Sequence, residues 1–139
     1  MTSQPLVSVI LPTYNRAHII DRAIDSVEIQ AYDNYELIIV DDRSTDSTAE
    51  TIRARMARNP RIRYAKNEFA QGPAGARNFA LTMARGDYLA FLDSDDYWLP
   101  GHLVAGVGFM RENSEVGLLF TDRITLDEKS GAQTPFLAK

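Results

Sequence analysis

Two short runs constrain this 139-residue chain more than anything else in it: Leu6 to Leu11 and Leu37 to Val40 are largely apolar, rich in β-branched residues, and lack the alternation of a half-exposed strand. Such strands are buried on both faces, and strands buried that way are usually parallel. Parallel neighbours need a crossover, and the residues between the runs supply one. Ile20, Ala23, Ile24 and Val27 recur at i, i+3, i+4 and i+7, the stripe of an amphipathic helix, with Asn15 placed to cap it. The Asp33-Asn34 pair then turns the chain back, giving a β-α-β unit expected to be right-handed.

The pattern recurs. Ser47 with Glu50 three residues later reads as a capping box opening a helix that packs Ile52 and Met56 and ends before Asn59-Pro60, followed by a third strand over Arg61 to Lys66. Gly72-Pro73 opens a helix with the stripe Ala76, Phe79, Ala80 and Met83, which Gly86 stops, and Tyr88 to Leu92 is a fourth strand. A last helix, with Pro100 near its start, carries Leu103, Val107 and Met110, and Val116 to Thr121 is expected to be a further strand. Alternating strands and helices define an open α/β sheet, and the length fits one domain over 1–139.

Composition narrows the function classes. Fifteen Lys and Arg against nineteen Asp and Glu leave a formal charge of -4, which disfavours a nucleic-acid partner. With no cysteine there is no disulfide, thiolate metal site or cysteine nucleophile. No apolar run is long enough for a transmembrane segment, and the start has no basic n-region. The arginines 53, 55, 58, 61 and 63 read as a solvated face without assigned function.

In a parallel sheet the residues that follow the strands gather along one edge, where open α/β proteins bind ligands. Here that edge receives Pro12-Thr13-Tyr14-Asn15-Arg16, Asp41-Asp42, Lys66-Asn67 and Asp93-Ser94-Asp95-Asp96. Asp41, Asp42, Asp93, Asp95 and Asp96 repel one another unless a cation or hydrogen-bond donors sit among them. The Asp93-Ser94-Asp95-Asp96 run suits a hard divalent cation, Mg²⁺ or Mn²⁺, with one or two carboxylates supplied by the protein and the rest of the shell by a diphosphate. Competing motifs fail on spacing. An EF-hand loop from Asp93 would place Trp98 and Val104 where Gly and Glu belong. The turn after the first strand is not G-x-G-x-x-G, Gly72 to Gly75 is not a Walker A loop, no G-x-S-x-G elbow exists, and His18 and His102 read as surface residues.

VSVILPTYNR (Val7 to Arg16), VDDRSTDST (Val40 to Thr48), GPAGARN (Gly72 to Asn78) and GDYLAFLDSDDYW (Gly86 to Trp98), in that order and spacing, resemble the family 2 glycosyltransferases of the GT-A fold. Each motif is weak alone; four in register are specific. The resemblance implies strand order 3-2-1-4 with a further strand after residue 115, and a nucleotide-diphosphosugar donor, most often a UDP-sugar. It gives Pro12 and Tyr14 the nucleobase and ribose pocket and Asp41 a hydrogen bond from the base; Asp42, by its own capping chemistry, is expected to cap the Ser44-to-Ser47 turn. Arg16, Arg77, Asp93 and Ser94 join the nucleotide site, and Asp95 with Asp93 holds the divalent cation, with no role fixed for Asp96.

It also implies an inverting transfer to a carbohydrate or lipid-linked acceptor, typical of bacterial surface polysaccharide synthesis, with a cytoplasmic active site at the inner face of the membrane. Asp122, Asp127 and Glu128 match no catalytic-base motif, so the base is expected beyond Lys139 and the chain is read as a donor-binding half. The alternative is a nucleotide-binding module without transferase activity.

Overall fold

The computed structural model describes residues 4–136. Residues up to Ala105 form one compact unit and those from Gly106 onward a second. The first is built on four parallel strands, β1 (Val7–Thr13), β2 (Tyr35–Asp41), β3 (Ile62–Lys66) and β4 (Tyr88–Phe91), in the order β3-β2-β1-β4. Every residue of β1 and β2 is buried, as two-sided burial of their apolar runs requires. β4 lies at the edge, and there Leu89 and Phe91 are exposed while Tyr88 and Ala90 are half-buried.

Alternation along the strands sorts side chains between two layers. Ile10, Ile38 and Val40 pack against Ala76 and Ala80 of α3 (Pro73–Met83), joined by Phe79 and Met83. The neighbouring residues Val9, Leu11, Leu37 and Ile39 point to the opposite face. There the right-handed crossover places α1 (Ile20–Glu28) and α2 (Thr48–Met56), and α1 buries Ile20, Ala23, Ile24 and Val27. Arg55 of α2 reaches across to Asp25 and Glu28 of α1. Arg61 lies over the Tyr35 ring, Arg53 over Tyr64, and Arg63 bonds Glu36, so these arginines tie elements together.

Local expectations needed correction at two helix starts. Asn15 is not a cap: α1 begins at Ile20, and Asn15 has φ 50° with its Oδ1 accepting from the Thr45 N–H at 2.8 Å. Ser47 precedes α2 but makes no side-chain cap bond; Asp46 takes that part, its Oδ1 accepting from the Thr48 N–H at 3.0 Å and the Thr48 hydroxyl at 2.5 Å. His102 is half-buried, stacked on Trp98 with ring centres 4.4 Å apart, and burial pushes its pKa down.

The second unit contains a small antiparallel hairpin, β5 (Ile124–Leu126) with β6 (Gln133–Pro135). The Asp127 carboxylate caps its turn by accepting from the Lys129 and Ser130 N–H groups. A strand after residue 115 is therefore present, but it starts at Ile124, and Val116 to Thr121 forms none. β-propensity becomes a strand only where a neighbouring edge takes the backbone N–H and C=O groups. Leu118 and Phe120 are instead exposed, Phe120 at 84%.

Candidate functional site

The cavity follows from where the strands stop. The β1–β4 ladder ends at Ile10 and Phe91, with the Leu92 N–H donating to the Ile10 carbonyl, while β1 pairs with β2 as far as Thr13 and Asp41. Backbone groups alternate sides along a strand, so the position of Pro12 that lacks an N–H faces β4's side, where no ladder bond is left to make. β1 here has β2 on one side and β4 on the other, the switch point at which an open parallel sheet leaves a crevice.

A cavity of about 510 Å³ opens there, on the α3 side of the sheet. Pro12, Thr13, Tyr14 and Arg16 line it from the first loop, Asp42 from the second, Gln71, Gly72 and Pro73 from the third, and Asp93, Ser94 and Asp95 from the fourth, with Ala76 and Arg77 of α3 completing the wall. Tyr14 is 47% exposed, Ser94 is buried, and the buried Thr13 Oγ1 has no hydrogen-bond partner among the described residues.

The first loop is held in place by the second. Arg16 N–H donates to Thr48 Oγ1 at 2.9 Å, Asn15 N–H to Ser44 Oγ at 2.9 Å, and Ala17 N–H to Asp46 Oδ2 at 3.1 Å. Hydrogen bonds from Thr48, together with Ala17, hold the Asp46 carboxyl below its ordinary pKa. The serine and threonine residues of the STDST stretch thus support the cavity rather than line it. Sequence reasoning missed that part, as it missed Gln71, and it gave no site role to Thr13 or Gly72.

The acidic rim is neutralised by donors. Asp93 pairs with Arg77, and Asp95 lies 3.6 Å from the Arg16 guanidinium while its carbonyl accepts from Arg22. Asp42 Oδ1 accepts from Asn67 Nδ2 at 2.6 Å and Oδ2 from the Gly72 N–H at 2.7 Å. Asp41 is fully buried and does not line the cavity; its oxygens accept from the Ser44 N–H at 2.8 Å and the Tyr64 hydroxyl at 3.1 Å. Burial and the Asp41 charge push the Tyr64 pKa up to about 12. The two aspartates therefore exchange their expected parts: Asp41 caps the Ser44 turn, and Asp42 faces the cavity. One residue along a strand reverses the face, and Asp42 shares parity with Ile38 and Val40, which point toward α3. Asp96 closes the turn through its N–H to the Asp93 carbonyl at 3.0 Å and lies outside the cavity lining.

Asp93 and Asp95 offer hard oxygen donors on one wall. Among the described residues no group of three or more His, Cys, Asp or Glu side chains gathers as a cage. Two carboxylates fit the protein's usual share of a Mg²⁺ or Mn²⁺ shell that a diphosphate completes.

An open parallel sheet with a polar, partly cationic crevice at its switch point is the ligand-binding class of α/β domain. The chain matches Glycosyl transferase family 2 over residues 8–134, and it belongs to that family. It is 44% identical over 109 residues to UDP-Glc:alpha-D-GlcNAc-diphosphoundecaprenol beta-1,3-glucosyltransferase WfgD of Escherichia coli, across 78% of this chain and 42% of that protein. Among solved structures, S. aureus TarS 1-349 in complex with UDP superposes with a TM-score of 0.71 at 31% identity, across 86% of this chain and 34% of that one. Mannosyltransferase PcManGT from Pyrobaculum calidifontis in complex with GDP-Man and Mn2+ gives 0.72 at 32% identity, across 78% and 33%. The fold is the GT-A fold, and the chain spans less than half the length of these relatives.

Proposed function

We propose that the cavity binds the nucleoside diphosphate part of a nucleotide-sugar donor, a UDP-sugar first among candidates, for an inverting, metal-dependent transfer. The observation that carries this reading is the division of one 510 Å³ cavity into two chemistries. Pro12, the exposed Tyr14 ring and Asp42 form an apolar and hydrogen-bonding side suited to a base. Asp93, Asp95, Arg16 and Arg77 form a charged side suited to a diphosphate and its cation. Ser94, from the fourth loop, adds a polar side chain to the same lining, where a polar ligand gains a hydrogen bond.

Asp93 and Asp95 are the residues that would hold a divalent cation, which supplies charge neutralisation for the departing nucleoside diphosphate. The chain's own arginines act in the same direction: Arg16 and Arg77 reach the carboxylates that border the diphosphate side and can turn one N–H toward phosphate oxygens. The acceptor hydroxyl needs a base on the face opposite the leaving group. The proposal places that base outside the cavity lining, whose three carboxylates already have donors.

The family and the relatives named for a diphosphoundecaprenol-linked acceptor support a lipid-linked acceptor and a role in surface polysaccharide synthesis near a membrane. Among the described residues no helix is long and apolar enough to cross a membrane. These 139 residues are read as a donor-binding portion that binds nucleotide without efficient transfer. Calorimetric titration of UDP, GDP, ADP and dTDP, with and without Mn²⁺, into wild type and Asp95→Ala tests the donor site. Metal-dependent binding of one nucleotide, lost in the variant, is expected; no binding of any nucleotide removes the reading. Sugar transfer to an added acceptor at an ordinary enzymatic rate would refute the donor-portion part alone.

A further inference from the structure

The third loop, residues 67–72, contributes to one wall of the cavity yet belongs to no helix or strand; Arg43 reaches the Phe69 carbonyl and Phe69 meets the Phe79 ring edge-on, and at its base lies the buried side chain of Asn67. Asn67 continues the β2–β3 ladder by donating its N–H to the Asp41 carbonyl at 2.8 Å. Its side chain then uses every group it has. Nδ2 donates to Asp42 Oδ1 at 2.6 Å and to the Ala70 carbonyl at 2.9 Å, and Oδ1 accepts from the Phe69 N–H at 2.9 Å. The loop returns to the same carboxylate through the Gly72 N–H, 2.7 Å from Asp42 Oδ2. It also presses against α3 so closely that a Cβ on Gly75 would lie 1.7 Å from the Ala70 carbonyl oxygen.

Each Asp42 oxygen thus receives one protein donor, and a carboxylate oxygen can accept two. The torsional freedom that would let the carboxylate swing away is removed by donors at both oxygens, leaving the remaining acceptor sites directed by Asn67 and Gly72. We infer that Asn67 is a positioning residue for base selection: it orients Asp42 so that the cavity favours a nucleobase with a ring N–H on its pairing edge over one whose ring nitrogen there is an acceptor. The inference rests on the reading of this cavity as a nucleotide site. A misplaced or freely rotating carboxylate would still add negative charge but would lose its directional preference, because discrimination by hydrogen bonding depends on a group held where the wrong partner leaves it unpaired.

The test compares UDP with CDP and GDP with ADP, two pairs that differ in that ring N–H, by titration with Mn²⁺ into the 139-residue chain. In wild type the N–H member of at least one pair binds more tightly. Asn67→Ala should weaken that member about tenfold and leave its counterpart unchanged, the magnitude expected when one oriented hydrogen bond to a charged group is lost. Asn67→Asp keeps the size and the acceptor for Phe69 but replaces the donor amide with a carboxylate. Its selectivity between GDP and ADP should be lost at pH 7.5 and return toward pH 5, where the new carboxyl regains a proton to donate, with wild type measured at each pH as the reference. This second variant decides the matter if Asn67→Ala does not fold.

Equal weakening of both members, or selectivity independent of pH in Asn67→Asp, would overturn the positioning role. Asp42→Asn separates that failure from failure of the site reading. Selectivity abolished in Asp42→Asn but retained in the Asn67 variants refutes Asn67 alone; no selectivity in wild type refutes base recognition at Asp42 as well.

Discussion

The two ends of the parallel sheet carry similar residue types and put them to opposite use. At the amino ends of the strands, Glu36 is buried at the start of β2, and its oxygens accept from Ser8 Oγ at 2.7 Å, the Arg85 N–H at 2.8 Å, Arg63 at 2.9 Å and the Arg85 guanidinium at 2.9 Å. Ser8 in turn accepts from the Gly86 N–H at 2.8 Å, and a Cβ on Gly86 would sit 2.5 Å from the Ser8 nitrogen. Burial alone would raise the Glu36 pKa, but the hydrogen bonds from Ser8, Arg85 and Arg63 together bring it down to about 2. At the carboxyl ends, Asp93 and Asp95 are each met by one arginine beside open volume. A carboxylate surrounded by four donors is a fastener; one with a single flexible arginine at a cavity wall keeps acceptor sites free for a ligand.

Exchanging the properties of the two ends is the direct way to break that comparison. Glu36→Ala removes the common acceptor of Ser8, the Arg85 N–H and the two arginines, which stay solvated, and should lower stability by about 3 kcal/mol, the loss of several hydrogen bonds to one buried carboxylate, without changing nucleotide affinity in the folded protein. Urea unfolding alongside titration at low denaturant checks both halves. Gly86→Ala attacks the same end through backbone crowding and should lose about 3 kcal/mol, with affinity again preserved. Altered affinity in either variant would mean the two ends are coupled.

A pH series sharpens the contrast. The Glu36 pKa is depressed from 4.5 in the unfolded chain to about 2 in the folded one. Between those values the unfolded chain binds more protons, so stability rises with pH. The contribution, of order 3 kcal/mol, is fully present above pH 4.5 and is lost as pH falls toward 2. Glu36→Gln should flatten that slope; an unchanged acid transition would show that other carboxylates dominate it.

At the opposite end the expected signs reverse. Asp95→Ala should weaken Mn²⁺-dependent nucleotide binding about a hundredfold, near 2.7 kcal/mol, with a melting temperature within a few degrees of wild type, since its partner Arg16 remains solvated. Arg77→Gln should have the smallest effect, about tenfold on nucleotide affinity, because the cation carries most of the neutralisation. A large fall in melting temperature in either variant would make this end a fastener too.

Much of this was written in local pattern. The family resemblance carried by the motifs at Val7, Val40, Gly72 and Gly86 implied the strand order that the sheet adopts, and the apolar stripes at Ile20 and Ala76 named the faces the helices bury. Helix starts were less legible: Asn15 and Ser47 have capping chemistry, but the Asn15 oxygen is taken by the Thr45 N–H of the neighbouring loop, and Asp46, one residue before Ser47, accepts from Thr48 in its place. The run Val116 to Thr121 has strand composition and forms none, because a strand is a property of a pair of segments.

The sequence by itself determined an α/β chain of glycosyl transferase family 2 with a carboxylate-rich edge, because periodicity and motif spacing are local and survive without a partner. Tertiary structure alone decided which carboxylate faces the cavity and which acidic group becomes a fastener. Asp41 and Asp42 are adjacent and chemically identical, and only the face of β2 on which each emerges separates a turn cap from a cavity wall. Glu36 carries no motif; its role depends on Ser8, Arg63 and Arg85, which converge only when the strands pair.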